Sequence, residues 1–225
     1  MPDARHANLL EPEALVELFL RHPPQGFAAA SEADLPVFGT DFDLLTTLEP
    51  AILVKIRRLP LFGLWSRLLR FPARFAGTTA TEYAPLPKGL EPGALLDGFR
   101  ERCAAGQSLL IVKDVPEVSP LLGAGDNEAA MRLARIAPDK GFIVVEGQAL
   151  AYVPIDFSST DEYLSRLSKS RRKNLRRKLK SRERLDIEAV PLGDARFGSL
   201  DVLEELYGLY LGVYAQSEIH FDLLT

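Results

Sequence analysis

The sequence predicts a mixed α/β (α+β) fold, a sheet flanked by helices, and two patterns carry that expectation. Apolar stripes with helical spacing at residues 10–21, 94–105, 126–136 and 200–214 alternate with short apolar runs of strand length at 108–115, 142–145, 149–155 and 186–190. The 225 residues, 47% of them hydrophobic and 26% charged, can bury a sizeable core as one large domain or two small ones. The 16 Gly and 16 Pro are spread along the chain, so no low-complexity tract interrupts it.

In chain order, LEPEALVELFLR at 10–21 is an amphipathic helix stopped by Pro23 and Pro24. A short apolar stretch, Pro36 to Phe38, leads into Gly39. Residues 50–70 mix apolar and basic side chains, and Pro60 divides them. Leu61, Leu64, Trp65, Leu68 and Leu69 there have helical spacing: they either pack on the sheet or seek an interface, with Arg67 and Arg70 reaching toward water. Residues 77–93 form a long loop rich in small and hydrogen-bonding side chains. The apolar Tyr83, Ala84, Pro85 and Leu86 argue for an ordered, functional loop. Glu82 is either a general base or an exposed carboxylate, and spacing alone does not choose. A helix at 94–105 stops at Gly106, and SLLIVKDV at 108–115 has the Leu-Leu-Ile-Val core of a buried strand. Gly123-Ala124-Gly125 lacks the third glycine of a dinucleotide fingerprint and reads as the N-cap of the helix at 126–136. Two strands, 142–145 and 149–155, are expected to meet in a hairpin at Glu146-Gly147. A strand, DIEAV at 186–190, and a helix at 200–214 with Leu203, Leu206, Tyr207, Tyr210 and Val213 on one face close the series.

The lone cysteine, Cys103, excludes an intramolecular disulfide and continues the apolar face of Leu95, Leu96 and Phe99, so a core thiol is expected in place of a nucleophile. His6, His22 and His220 have no Cys or carboxylate at metal-ligand spacing, and no metal site is expected. No run reaches the length of a signal-peptide core or a membrane span, which makes the cytoplasm the expected compartment.

The formal charge of −4 conceals a concentrated cation. Between Arg166 and Arg184 stand eleven Lys or Arg and one acid, a local charge of +10, while the rest of the chain carries −14. The segment has no Gly or Pro, places Leu164, Leu167, Leu175 and Leu179 near one face, and reads as one or two helices opened by Ser159 or Thr160. With Thr160 as the cap, Tyr163 stands where a capping box wants Glu or Gln, and the box is incomplete. Three readings stand. A solvated amphipathic helix does not explain the near absence of acids. Nucleic-acid binding is disfavoured by the acidic balance elsewhere and by the lack of interleaved aromatics. A grip on a polyanionic small ligand or anionic surface suits Arg, a bidentate donor to phosphate oxygens, and Lys, a point charge.

The hairpin-like stretch followed by YLSRLSKSRRKNLRRKLK, DIEAV and ELYGLYLGVYAQSEIHFDLLT resembles GNAT-like acyltransferases related to Fem-type aminoacyl transferases and peptidoglycan-biosynthesis proteins. In that family a segment of the form lSkkRRkniRR follows a sheet hairpin. RFAGTTATEYAPL at 74–86 is similar to the family's loop between a strand and a helix. The resemblance is clearest over 141–225 and weaker over 35–115. It implies a GNAT-like mixed sheet in which acyl-CoA, a co-substrate and not a permanently bound cofactor, lies where two parallel strands splay. Its pyrophosphate would meet a helix N-terminus, and the acceptor would be an amine-bearing small molecule or cell-wall precursor. Matched to the basic motif, Arg172, Asn174 and Arg176, with Lys169 and Lys173 behind them, are the candidates for anion contact; Glu82 and Tyr83 are the acceptor-loop candidates. The family's signature Arg/Gln-x-x-Gly-x-Gly/Ala is absent, and the family continues for roughly a hundred further residues. The expectation is therefore an N-terminal lobe at 1–158 and the start of a second domain at 159–225, incomplete at the C-terminus, with no catalytic residue nominated. A non-catalytic module that binds RNA or an anionic membrane through the basic helix is the alternative.

Overall fold

The computed structural model describes residues 5–48, 50–89, 91–147, 149–191, 193–217 and 222–225; His220 lies outside them. It divides the chain into two compact units, Met1–Gln148 with Ser217–Thr225, and Ala149–Gln216. The first unit runs β1 (His6–Ala7), α1 (Glu13–Arg21), β2 (Ala28–Glu32), β3 (Leu35–Asp43), α2 (Pro50–Arg57), α3 (Phe62–Trp65), β4 (Arg70–Ala76), β5 (Leu86–Pro87), α4 (Pro92–Cys103), β6 (Leu109–Val112) and α5 (Ala124–Ile136). The mixed α/β class expected from the sequence is what forms.

The main sheet has the order β2-β3-β4-β6; its first three strands are antiparallel, and β6 lies parallel to β4 with Ala73 opposite Leu109 and Ala76 opposite Val112. Strand periodicity sorts its side chains into two layers. Leu35, Val37 and Ala76 face Leu95, Leu96, Phe99 and Cys103 of α4 and Leu133 of α5. Phe38, Ala73 and Phe75 point the other way, onto Phe19 of α1. On that second face Phe38 is fully buried, its ring stacked between Phe27 at 4.9 Å and Phe75 at 4.7 Å, with Phe19 edge-on at 5.6 Å. Cys103 sits in the first layer, where burial, reinforced by the nearby Glu32 charge, pushes its thiol pKa up.

The β2–β3 hairpin turns on Ala33 and Asp34, both left-handed, with φ of 52° and 63°. Two consecutive positive φ values define a two-residue turn whose twist matches the flanking strands. Neither residue is the Gly that such a turn favours, and the sequence therefore did not announce it. The buried His6 supports the turn from outside: Nε2 donates to the Asp34 carbonyl at 2.8 Å, while Nδ1 meets the Glu13 carboxylate.

Several expectations are corrected. Residues 142–147 and 149–157 contain no strand, and the Glu146-Gly147 hairpin does not form; residues 186–190 are also irregular. A strand needs a neighbour for its backbone groups, and no described residue is paired alongside these segments. Many of their apolar side chains are accordingly exposed, Ile143 at 89% and Ile155 at 83%, while Phe142 packs half-buried against the first core layer. β6 is half-buried and not the fully buried strand expected, since it ends the strand order. The leucine stripe of 61–69 does not pack on the sheet as a set: Leu61, Leu64 and Leu68 are exposed.

In the second unit the α-helices are α6 (Thr160–Arg166), α7 (Lys169–Arg182) and α8 (Leu200–Gln216), with a short 3-10 turn at Ala195–Gly198 before the last. The basic segment is two helices because Leu167 is extended and Ser168 starts the second helix as its N-cap. Ser159, and not Thr160, caps α6: its Oγ accepts the Glu162 N–H at 3.2 Å. This places Glu162 at the fourth position and corrects the incomplete box. The Glu162 carboxylate reaches back to accept the Ser158 backbone N–H at 2.8 Å and the Ser158 hydroxyl at 2.7 Å. Those bonds, with a further one from Arg166, hold the Glu162 pKa down at about 2. Arg166 bridges Glu162 and Asp156, each at 2.6 Å. The expected apolar face of α8 forms on a helix, but Leu203, Leu206 and Val213 are exposed on it.

Candidate functional site

A parallel strand pair leaves both carboxyl ends at one edge of the sheet, where open α/β folds gather their ligands. Here β4 ends at Ala76 and β6 at Val112, and the ladder extends one bond on each side, from Ser108 N–H to Pro72 O at 2.9 Å and from Lys113 N–H to Ala76 O at 3.3 Å. The chain then leaves β4 through Gly77, whose φ of 126° no other residue adopts readily.

The loop after Gly77 is ordered by hydroxyls. Thr78 is fully buried, and its Oγ1 accepts the N–H groups of Ala80 and Thr81, both at 3.1 Å. Thr81 Oγ1 spends its single proton on the Tyr83 carbonyl at 2.8 Å, so Thr78 is the donor in the 2.8 Å contact between the two hydroxyls. Lys113, the first residue past β6, donates to the Thr78 carbonyl at 2.8 Å and pairs with Asp114. Ala84 N–H closes the other side on the Asp114 carbonyl at 3.1 Å. The two strand ends are thereby tied into one rim.

Both acceptor-loop candidates stand on that rim. Tyr83 is half-buried and donates its hydroxyl to Ser119 Oγ at 3.0 Å. Glu82 is held by its backbone, whose N–H donates to Glu11 at 2.9 Å, and its carboxylate is exposed. Ser119 is fixed by Asn127, which accepts the Ser119 N–H at 2.7 Å and donates to the Ser119 carbonyl at 2.9 Å. Ser119, Asn127 and Lys113 were missed in the sequence. Tyr83 and Ser119 lie 36 residues apart, and nothing local in either stretch signals their meeting.

Two helix N-termini also reach this edge, and they differ. In α4 the Glu91 carboxylate accepts the Ala94 N–H at 3.0 Å, which occupies the position an anion would take. In α5 the cap is Gly123, with no side-chain hydrogen bond, as the sequence implied for this Gly-Ala-Gly. Between the starts of the two helices and the β1–β5 ladder lies a cavity of about 330 Å³. Leu86, Leu95 and Leu133 supply its apolar wall, Lys88 and Asp126 bring opposite charges, and Asn8 is buried with neither amide atom hydrogen-bonded.

The basic candidates belong to the other unit. Lys169, Lys173 and Arg176 are exposed on α7 and make no ion pair among the described residues. Arg172 instead joins two helices. Its Nη2 donates to the Leu167 carbonyl at 3.0 Å and to Ser165 O at 3.4 Å, closing the end of α6. Asn174 accepts from Arg177 at 3.1 Å.

No family model matches the sequence, and no curated protein or solved structure matches it either. The functional reading rests on the residues themselves.

Proposed function

We propose that the chain acts in N-acyl transfer of the GNAT type, with an acyl thioester such as acyl-CoA, or an aminoacyl donor, at the carboxyl edge of β4 and β6 and an amine as acceptor. The observation that supports this reading is the β4–loop–α4–β6 crossover: it produces the one parallel pair in the described sheet and sets the ordered Thr78–Tyr83 loop on its rim. In the step envisaged, the amine nitrogen attacks the thioester carbonyl, the carbonyl oxygen takes up negative charge, and the C–S bond breaks to release the thiolate. The exposed Glu82 carboxylate is the group at the rim suited to accept the amine proton. The uncapped start of α5 suits a donor phosphate, whereas α4 is already satisfied by Glu91. The test is incubation of the protein with acetyl-CoA and a panel of amines, read by mass spectrometry of the products, with Glu82→Gln in parallel. Transfer that falls about a hundredfold in the variant while donor binding persists is expected; undiminished transfer removes Glu82, and binding of no thioester or aminoacyl donor removes the reading.

A second reading, a polyanion-binding module, is favoured by α7. Nine of its fourteen residues are Lys or Arg, it contains no acid, and none of the nine has an ion-pair partner among the described residues. Over a length of about 21 Å such a helix neutralises phosphates well. Salt-sensitive retention of RNA, lost when Lys173, Arg176 and Lys180 become Ala, is its signature.

A further inference from the structure

Asp43 at the end of β3 sits directly opposite Arg70 at the start of β4, yet 26 residues separate them. Two antiparallel neighbours need only a few residues to connect, so the sheet does not require this excursion. Its composition is one-sided. Its 26 residues hold four Lys or Arg, at Lys55, Arg57, Arg58 and Arg67, and a single acid, Glu49, on a chain whose net charge is −4. Arg70 pairs with Asp43, while Lys55, Arg57, Arg58 and Arg67 make no ion pair among the described residues. Large apolar side chains face outward among these cations: Ile52, Val54 and Leu59 are exposed, and Leu61, Leu64 and Leu68 are 74%, 67% and 76% exposed. Isolated exposed leucines are ordinary, but six exposed large aliphatic side chains within 17 residues put apolar area in water at a cost.

We propose that this excursion is a docking surface for an anionic lipid bilayer, lying in the headgroup layer without crossing it. This does not rest on the acyltransferase reading. Aliphatic side chains interspersed from Pro50 onward with cations match the two halves of a bilayer interface, the acyl boundary and the phosphate layer, and the long Lys and Arg stems can lie along the apolar side while their charges reach the phosphates. Trp65, packed edge to face with Phe62 at 5.3 Å, adds the amphipathic aromatic that favours that depth. No helix among the described residues is long and apolar enough to cross a membrane, so the segment lies on the surface. A second copy of the chain is the poorer occupant: in a two-fold contact the four cations of each copy would be brought together against a single acid, Glu49, in each segment. A nucleic acid offers nothing to the leucines.

Trp65 is the only tryptophan, which makes its fluorescence a report from this segment alone. The experiment adds vesicles of phosphatidylcholine with about 30% phosphatidylglycerol to the full chain. The expected result is a blue shift of Trp65 emission with protection from iodide, co-sedimentation of the protein, and weakening by salt. Pure phosphatidylcholine should bind at least about tenfold more weakly. The triple variant L61S/L64S/L68S, at positions exposed enough to spare the fold, should lose binding by at least about tenfold with an unchanged circular dichroism spectrum. Co-sedimentation with Trp65 emission unmoved would assign the binding elsewhere, α7 included, and overturn the proposal. Equal binding to uncharged vesicles, undiminished binding by the triple variant, or a Trp65 shift that follows protein self-association without vesicles would overturn it as well.

Discussion

Phe38 is the side chain on which the second face of the sheet is organised. It is fully buried, it stacks on Phe27 and Phe75 with interplanar angles of 4° and 2°, and it receives the edge of Phe19. Phe38→Ala removes the ring and leaves a cavity that three rings, on α1, on β4 and in the turn before β2, cannot all collapse into; the loss is about 3–5 kcal/mol. Phe38→Leu retains most of the apolar burial and forfeits the ring pairing, which at about 0.5–1.5 kcal/mol per aromatic pair, with incomplete additivity, amounts to about 1–2 kcal/mol. Urea unfolding followed by far-ultraviolet circular dichroism measures both from the midpoint at constant slope. The order wild type, Leu variant, Ala variant is expected. A loss below about 1 kcal/mol for Phe38→Ala, the size of a surface substitution, would refute the packing of α1 on this face.

Two further outcomes follow from the local geometry. Ala33→Gly is expected to stabilise the protein by about 0.5–1 kcal/mol, because the left-handed φ of 52° penalises a Cβ by more than the added freedom of glycine in the unfolded chain costs; a lower urea midpoint would contradict the turn. The Glu162 pKa is lowered in the folded state from 4.5 to about 2, so its contribution to α6 is present above the unfolded value and is lost as pH falls through the folded one. Carboxyl-carbon NMR should show Glu162 titrating near 2, and a midpoint above 4 would mean that Ser158 and Arg166 do not hold it.

Much of the first unit was legible because its signals are local. The period of α1, α4 and α5, the LLIV run of β6 and the core position of Cys103 all follow from side-chain spacing over a dozen residues or fewer. What was not legible depends on long-range pairing. Glu146-Gly147 is a sound turn pair but brings no ladder with it, whereas Ala33-Asp34, which lacks glycine, turns a real hairpin because Leu35, Val37 and Phe38 find two core layers to fill. At the rim, the loop that holds Glu82 and Tyr83 is ordered by hydrogen bonds, as its apolar residues implied. Ser119, the partner of Tyr83, and Lys113, the partner of Thr78, escaped because hydrogen bonds across 36 and 35 residues leave no trace in spacing. The basic run announced its charge plainly, but not that Arg172 would be turned back onto Leu167 to join two helices.

Hydrogen exchange of the full chain with and without acetyl-CoA tests the donor site most directly. The acyltransferase reading predicts slowed exchange in two peptides, the Thr78–Tyr83 loop beyond β4 and the Gly123–Asn127 start of α5. No protection at either place with any acyl thioester or aminoacyl donor, or protection confined to α7, would contradict it.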